Sequence, residues 1–199
     1  MKVIGLCGGS GSGKGEVCRL FARFGVPSVD TDAVYRQLTE QKSDCLDEIT
    51  EHFGTGVLNT DGSLNRQALA EIVFSDKDAL RTLNSITHKH ILNVCRASIN
   101  NARMRGDEMI LIDAPLLFES GFNRECDVVI AVVAPIDTRI ARIVLRDGIT
   151  EEAAERRIAS QIDDAFYYEN ADFVINNGKD IFALNKSVEE IYVKLREIG

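Results

Sequence analysis

The sequence contains no apolar run long enough to cross a membrane, and only four residues precede Gly5, the first glycine. A membrane-spanning helix needs about 20 mostly apolar residues, and a secretory signal needs an apolar segment ahead of its cleavage site. We therefore expect neither a membrane span nor a signal peptide, and we expect a cytoplasmic protein.

Cysteine and histidine patterns that would indicate a metal site or a disulfide framework are also missing. The chain has five cysteines, an odd number, and no two of them form a CxxC pair. His88 and His90 are two residues apart, so on a helix they would not face the same side. The sequence thus predicts reduced thiols, as in a cytosolic protein, and no metal held by paired histidines.

Basic residues are outnumbered by acidic residues. The chain has 23 Lys and Arg against 31 Asp and Glu, which gives a net charge of −8. This balance argues against a general binder of nucleic acids or of anionic membranes. Any phosphate site must therefore be a local basic pocket. With 199 residues and no internal repeat, we expect a single domain, 1–199, that carries an insertion.

What the sequence does contain is a glycine-rich loop between an apolar strand and an amphipathic helix. Gly8 and Gly13 have the spacing of a P-loop, and Lys14 follows at once. Such a loop curls its N–H groups around phosphate oxygens, and Lys14 can reach the β- and γ-phosphates. The alternative is a flexible turn without a ligand. The residues that we expect to bind phosphate are Gly9, Ser10, Gly11, Ser12, Gly13, Lys14, Gly15 and Glu16.

One position departs from the P-loop pattern. A Ser or Thr normally follows the lysine and binds Mg²⁺ through its hydroxyl, but this chain has Gly15 and then Glu16. Because Mg²⁺ commonly keeps several waters, a water could fill the vacant position, and Glu16 could hold that water. We expect a weakened but functional magnesium site.

Five short apolar runs predict an α/β fold with a parallel sheet and helices on both faces. About seventy-five residues separate the second run from the third, more than an ordinary crossover needs, and their pattern is helical almost throughout. We interpret residues 34–106, approximately, as a helical insertion that forms a substrate-binding lobe. The predicted strands begin near Val3, Pro27, Met109, Val128 and Phe173.

Acidic residues follow two of the predicted strands. Asp30 and Asp32 come after the second strand, and Asp113 ends the third. Because ligands gather at the carboxyl ends of parallel strands, these carboxylates should face the glycine loop. Asp32 could accept a proton from a hydroxyl there, and both Asp32 and Asp113 could hold Mg²⁺ through water. The alternatives are helix capping for the first pair and a strand-end turn for Asp113.

Arginines follow the fourth predicted strand. Arg139, Arg142 and Arg146 are three and four residues apart, so they share one helix face. Because a planar guanidinium suits phosphate oxygens, we interpret residues of about 139–161 as a lid that closes over phosphates. Arg142 and Arg146 are its strongest candidates. The alternative is a solvated face whose arginines pair with acidic neighbours.

Together these motifs resemble the dephospho-CoA kinase family along nearly the whole chain. The similar segments are Gly8–Lys14, Val29–Asp32 with Arg36, Arg66, Leu83–His88, Asp113–Glu119, Arg142–Gly148, Arg157 with Gln161, and Asp172–Gly178. The sequence departs from the family at Gly15 and Glu16, and at Lys89, where the family usually has proline. The ordered set of motifs is specific, whereas a P-loop alone is shared by many proteins.

The resemblance implies a P-loop NTPase-type kinase that transfers the γ-phosphoryl group of ATP, with Mg²⁺, to the ribose 3′-hydroxyl of dephospho-CoA. It implies that Asp32 is the catalytic base, that Lys14 clamps phosphate, and that Arg142 or Arg146 supplies the charge of the lid. The implied contacts are Asn176 and Asn177 near the adenine, and Asp32, Arg36, Arg66, His88 and Asp113 near the acceptor. The partners would be these small molecules alone, bound by a monomer or small homo-oligomer.

Three other interpretations remain open. A different P-loop kinase would phosphorylate another nucleoside or nucleotide. A GTP-binding switch reads guanine through Asn-Lys-x-Asp, but Asn185–Val188 lacks the aspartate and falls inside the last predicted helix. A homologue that binds its ligands without turnover is the third possibility, and Gly15 is the residue that suggests it.

Overall fold

The computed structural model describes residues 1–197 and contains the five-stranded parallel sheet that the sequence predicts. The strands are β1 Lys2–Cys7, β2 Ser28–Asp30, β3 Met109–Asp113, β4 Val128–Val133 and β5 Phe173–Asn176. Their order across the sheet is β2-β3-β1-β4-β5. β1, β3 and β4 are buried along almost their whole length, as is expected of strands covered by helices on both faces.

β1 lies at the centre of the sheet, between β3 and β4. Leu6 of β1 is opposite Asp113 of β3 and Ile130 of β4. The strand order therefore changes direction at β1, and the loop that follows β1 emerges at this switch point. Open α/β sheets bind their ligands in the crevice at such a point.

Helices connect the strands. They are α1 Lys14–Arg23, α2 Thr31–Glu40, α3 Asp44–Phe53, α4 Arg66–Ser75, α5 Lys77–Arg105, α6 Ile136–Asp147, α7 Glu151–Ala159, α8 Asp164–Asn170 and α9 Ile181–Glu197, with short 3₁₀ helices at Thr55–Val57 and Phe122–Glu125. The sequence pattern does not predict α8, because its consecutive aromatic residues show no helical period. Within residues 1–197, no helix is both long and apolar enough to cross a bilayer.

The chain divides into two compact units. The first comprises Met1–Val29 and the chain from Ala102 onward, and the second is Asp30–Asn101. The first unit holds nearly all of the sheet, and the second consists of α2, α3, α4 and most of α5. The lobe predicted at about 34–106 falls mainly in the second unit. Apart from Asp30 at the end of β2, extended structure among the described residues there is limited to an isolated bridge between Leu58 and Leu64.

Apolar side chains of α1 and α9 cover one face of the sheet in the first unit. Val17 and Phe21 of α1 and Val188 of α9 are fully buried in one cluster with Ile4 and Leu6 of β1. Burying each such large side chain contributes about 1.5–3 kcal/mol. This packing fixes the start of α1 relative to the end of β1, and so it fixes both ends of the loop between them.

The second unit has a core of its own. Cys45 and Ile49 of α3 are fully buried, and they cluster with Leu69 of α4 and with Leu83 and Ile86 of α5. The side chains of the residues just before the helices hold their first turns, because each accepts a hydrogen bond from an otherwise unsatisfied N–H. Those residues are Asp30 for α2, Ser43 for α3 and Asn65 for α4.

Candidate active site

The glycine loop between β1 and α1 ends in a left-handed residue that leads directly into the helix. Gly13 immediately precedes α1 and has φ +92°, a left-handed conformation that favours glycine. A Cβ at Gly13 would also lie 2.0 Å from Nδ2 of Asn177, so a side chain would collide there. The loop therefore ends at a helix N-terminus whose free N–H groups and partial positive charge suit an anion.

Ser12 contributes a buried hydroxyl to the loop. The residue is 1% exposed, and its Oγ has no hydrogen-bond partner among the described residues. A buried polar atom without a partner costs about 1–3 kcal/mol, so a native protein normally provides one. A phosphate oxygen bound in the loop would be such a partner.

Lys14, the first residue of α1, forms an ion pair with Asp113 at the end of β3. The two side chains are only 16% and 12% exposed. Sγ of Cys18, one turn further along α1, lies 3.1 Å from the second carboxylate oxygen of Asp113. The structure thus brings together the predicted lysine and one of the predicted carboxylates, and both lie beside the loop.

Arg142 and Asn177 form hydrogen bonds with carbonyl oxygens of the loop. Nη1 of Arg142 donates to the carbonyl oxygens of Gly11 and Ser12 at 3.2 and 3.3 Å. Nη2 of Arg142 donates to the carbonyl oxygen of Asn177, and Nδ2 of Asn177 donates to that of Ser12 at 2.8 Å. These contacts provide hydrogen-bond donors for the carbonyl oxygens of Gly11 and Ser12. The neighbouring residue Asn176 accepts a hydrogen bond at its Oδ1 from the N–H of Gly178 at 3.2 Å.

Arg146 lies in a different environment from Arg142, although both belong to α6. Arg146 forms an ion pair with Asp147, and Arg157 of α7 contacts the same carboxylate. The hydrogen bonds from these two guanidinium groups hold the pKa of Asp147 far below its usual range. Arg146 is thus engaged in an ion pair at the end of α6.

The position after the lysine is open. Gly15 lies in the first turn of α1, and a Cβ added there would meet no atom within 4 Å. The carboxylate of Glu16 is paired with Arg19, whose Nε donates to it at 2.9 Å. Nothing in the first unit therefore occupies the space where a Ser or Thr side chain would begin.

Three predicted residues, Asp32, Arg36 and Arg66, lie on α2 and α4 of the second unit. Asp32 is in the first turn of α2, and Nε of Arg36 donates to its carbonyl oxygen at 3.3 Å. Arg66 lies over the ring of Tyr35, with its Cζ 5.0 Å from the centroid, and donates to Oγ1 of Thr39 at 2.9 Å. Asp32, Tyr35, Arg36 and Thr39 therefore share a face of α2 with Arg66 beside it.

The histidines of α5 have separate environments. Burial lowers the pKa of His88 below its ordinary value of 6.5, so His88 is neutral at pH 7. Nε2 of His90 lies 2.7 Å from Oε2 of Glu48, and Nζ of Lys89 lies 2.9 Å from the same oxygen. In the part of the chain that the structure describes, no group of three or more His, Cys, Asp or Glu side chains is placed to hold a metal ion.

The Asp30 carboxylate caps α2. Its Oδ1 accepts hydrogen bonds from the N–H groups of Asp32 and Ala33 at 2.9 and 3.0 Å. Sequence reasoning left open whether Asp30 is functional or a cap, and the structure shows the capping role.

Arg139 is the site residue that sequence reasoning underrated. It is 3% exposed and donates to the carbonyl oxygen of Ser10 at 2.9 Å. Arg139 shares a helix face with Arg142, and that spacing is the sequence signal that pointed to it.

Sequence comparison identifies proteins that are similar to this chain along almost its whole length. The sequence model of the dephospho-CoA kinase family matches residues 2–182. A dephospho-CoA kinase of Corynebacterium diphtheriae is 38% identical over 192 residues, 96% of either chain. One from Fusobacterium nucleatum is 36% identical over 187 residues, 94% of this chain and 95% of that protein.

Solved structures share the fold. The crystal structure of a Thermus thermophilus protein superposes with a TM-score of 0.83 at 27% identity, covering 100% of this chain and 98% of that one. Dephospho-CoA kinase from Campylobacter jejuni gives a TM-score of 0.72 at 24% identity, covering 98% and 97% of the two chains. Shikimate kinase from Acinetobacter baumannii, at 18% identity and a TM-score of 0.53, shares the fold alone. The resemblance inferred from the motifs is thus confirmed, and the chain belongs to the dephospho-CoA kinase family.

Proposed function

We propose that this chain transfers the γ-phosphoryl group of ATP to the ribose 3′-hydroxyl of dephospho-CoA and so forms coenzyme A. Family membership across residues 2–182 supports this reaction. The observation that carries it is the Lys14–Asp113 ion pair beside a glycine loop whose Ser12 hydroxyl is buried without a partner. A cytoplasmic location is part of the proposal, since all five cysteines are thiols.

The loop residues fit the triphosphate of ATP. The N–H groups at the start of α1, the Ser12 hydroxyl and the Lys14 ammonium are all donors, and phosphate oxygens are acceptors. Arg142 donates to the carbonyl oxygens of Gly11 and Ser12, and its positive charge would reduce their repulsion of the anion. Arg142 and Arg146 would supply positive charge toward the transferred group, and Asn176 and Asn177 would lie near the adenine.

Asp32 would accept the proton of the acceptor hydroxyl. Its carboxylate lies in the first turn of α2, and Arg36 and Arg66 are the nearby cations that would bind the acidic acceptor. His88 would add a neutral hydrogen-bonding ring. Phosphoryl transfer needs little covalent chemistry from the protein, so these groups would act mainly by positioning and by charge.

The donor set fits Mg²⁺ that is bound largely through water. Asp113 is a carboxylate beside Lys14, and with Asp32 it would hold the hydrated ion. When bound, Mg²⁺ neutralises charge on the β- and γ-phosphates. Gly15 leaves open the place where a hydroxyl ligand would stand. Losing one such ligand costs about 1–3 kcal/mol, by analogy with hydrogen bonds to charged groups.

ADP formation from ATP, measured with and without dephospho-CoA, tests the proposed function. We expect turnover that depends on the acceptor and yields coenzyme A. A panel of nucleosides, nucleotides and shikimate serves as the control for acceptor choice. ADP formation that is equal without dephospho-CoA, or that is faster with another member of the panel, would contradict the proposal. No turnover with any acceptor would indicate a homologue that only binds.

A further inference from the structure

The side chain of Arg139 is buried between the glycine loop and the chain that follows α7. Arginine is almost never fully buried unless it is paired. Its Nε donates to the carbonyl oxygen of Ser10 at 2.9 Å, and its Nη2 donates to Oε1 of Gln161 at 2.9 Å. Its Nη1 lies 3.2 Å from Oδ1 of Asp164. Each guanidinium nitrogen thus has an acceptor, one in the glycine loop and two in the segment 161–164.

Gln161 holds the same loop residue from its other side. The N–H of Ser10 donates to Oε1 of Gln161 at 2.9 Å, and Nε2 of Gln161 lies 3.3 Å from Oγ of Ser10. The N–H, the carbonyl and the side chain of Ser10 are therefore all held by Arg139 or Gln161. We call Arg139, Gln161 and Asp164 the arginine clamp.

Gly9 gives an independent sign of the clamp. The φ of Gly9 is not positive, so its backbone conformation alone would accept a side chain. A Cβ at Gly9, however, would lie 2.2 Å from Nη2 of Arg139 and 3.0 Å from Oε1 of Gln161. A side chain at position 9 would therefore displace the ends of the Arg139 and Gln161 side chains, although the backbone there would accept it.

We propose that Arg139 is a positioning residue for phosphoryl transfer. Arg139 fixes the Gly9–Ser10 peptide against the segment between α7 and α8, and it thereby fixes the shape of the phosphate loop. Because its nitrogens are used and it is 3% exposed, Arg139 acts on the nucleotide through the loop and not by touching it. The expected effect on catalysis rests on the proposed function, whereas the effect on the loop does not.

Arg139→Met tests the clamp, since methionine keeps much of the volume and none of the donors. We expect backbone hydrogen exchange in residues 8–13 to accelerate at least about tenfold, while exchange in β3 stays unchanged. The KM for ATP should rise about tenfold because the loop must then be ordered by the nucleotide, and the KM for dephospho-CoA should not change. Arg124→Met, at an exposed position outside the predicted lid, is the matched control and should behave as the parent.

A double-mutant cycle tests the contact with Gly9. Gly9→Ala should lower the melting temperature clearly in the parent and much less when Arg139→Met is also present, because the obstructing guanidinium is gone. The melting temperatures are measured without nucleotide. Additive effects of the two changes would overturn the proposal.

A second variant keeps the test valid if Arg139→Met fails to fold. Gln161→Leu removes a half-buried carboxamide and should produce the same faster exchange in residues 8–13. Unchanged exchange in a folded clamp variant, or an equal rise of both KM values, would overturn the positioning role. Hydrogen exchange and melting temperature can be measured without turnover. If the parent protein does not phosphorylate dephospho-CoA, these two measurements therefore still test the clamp.

Discussion

At the level of single residues, Gly15, the position after Lys14, should determine how much Mg²⁺ turnover needs. Gly15→Ser adds a hydroxyl in a space where no atom lies within 4 Å of the new Cβ. We expect the Mg²⁺ concentration for half-maximal turnover to fall about tenfold, since the ion gains a direct ligand. Mg²⁺ should also strengthen ADP binding more in the variant than in the parent, as measured by calorimetry.

Gly15→Ala is the control for this change. It adds the Cβ without the hydroxyl, and it should raise helix stability by up to about 1 kcal/mol because glycine is a poor helix former. The magnesium titration of Gly15→Ala should match that of the parent. Equal shifts in both variants would assign the effect to helix stability and would contradict a missing ligand.

Asp32 is the residue whose charge should matter most for turnover. Asp32→Asn keeps the size of the side chain and removes the base, so kcat should fall about 10²- to 10⁴-fold while ADP affinity stays near that of the parent. Steady-state kinetics and ADP titration measure the two quantities. Asp44→Asn, in the first turn of α3, removes an equivalent helix charge and should have little effect. Parallel loss of turnover and ADP binding in Asp32→Asn would indicate a structural role.

The arginines of α6 illustrate which residue roles a sequence can predict. Their shared helix face follows from spacing alone, and so does their proximity to a loop at the strand ends. Burial does not follow, because it depends on where Gln161 and Asp164 return in space. Arg139, which is buried, and Arg146, which pairs with its neighbour Asp147, therefore look alike in the sequence.

Among the secondary-structure elements, α2 depends on one capping side chain. Asp30 accepts hydrogen bonds from two N–H groups of the first turn. Asp30→Ala should lower the free energy of unfolding by about 1 kcal/mol, whereas Asp30→Asn, which can still accept these bonds, should retain most of it. Urea unfolding of the three proteins measures the difference. Equal loss in both variants would mean that charge, and not capping, is what Asp30 contributes.

The strands and most helices were predictable because their signals are local. Continuous apolar runs mark β3 and β4, and Thr150 marks the start of α7, where its Oγ1 accepts from the N–H of Ala153. The short helix α8 was not predictable. Its Phe166 packs edge to face with Phe118, a residue nearly fifty positions earlier, and sequence periodicity contains no trace of such a contact.

The stability of the whole molecule should depend on pH through His88. Burial lowers its pKa below 6.5, so the unfolded chain binds a proton more readily than the folded chain. The contribution of neutral, buried His88 to the free energy of unfolding is therefore complete above pH 6.5. This contribution is lost as the pH falls from 6.5 through the folded-state pKa of His88. We expect the free energy of unfolding to fall less between about pH 7.5 and 5.5 in His88→Gln than in the parent. His52→Gln, at an exposed position, should keep the parent dependence, and an unaltered slope in His88→Gln would refute the prediction.

The central place of β1 has a consequence for how the protein is made. Lys2 pairs with Met109 and Ile4 pairs with Val128, so the neighbours of β1 are synthesised more than 100 residues after it. At about 5–20 residues per second, β1 waits roughly 5–20 seconds for them. During translation its apolar residues are exposed and prone to aggregation. Nascent chains should therefore bind holdase chaperones until β4 has been synthesised.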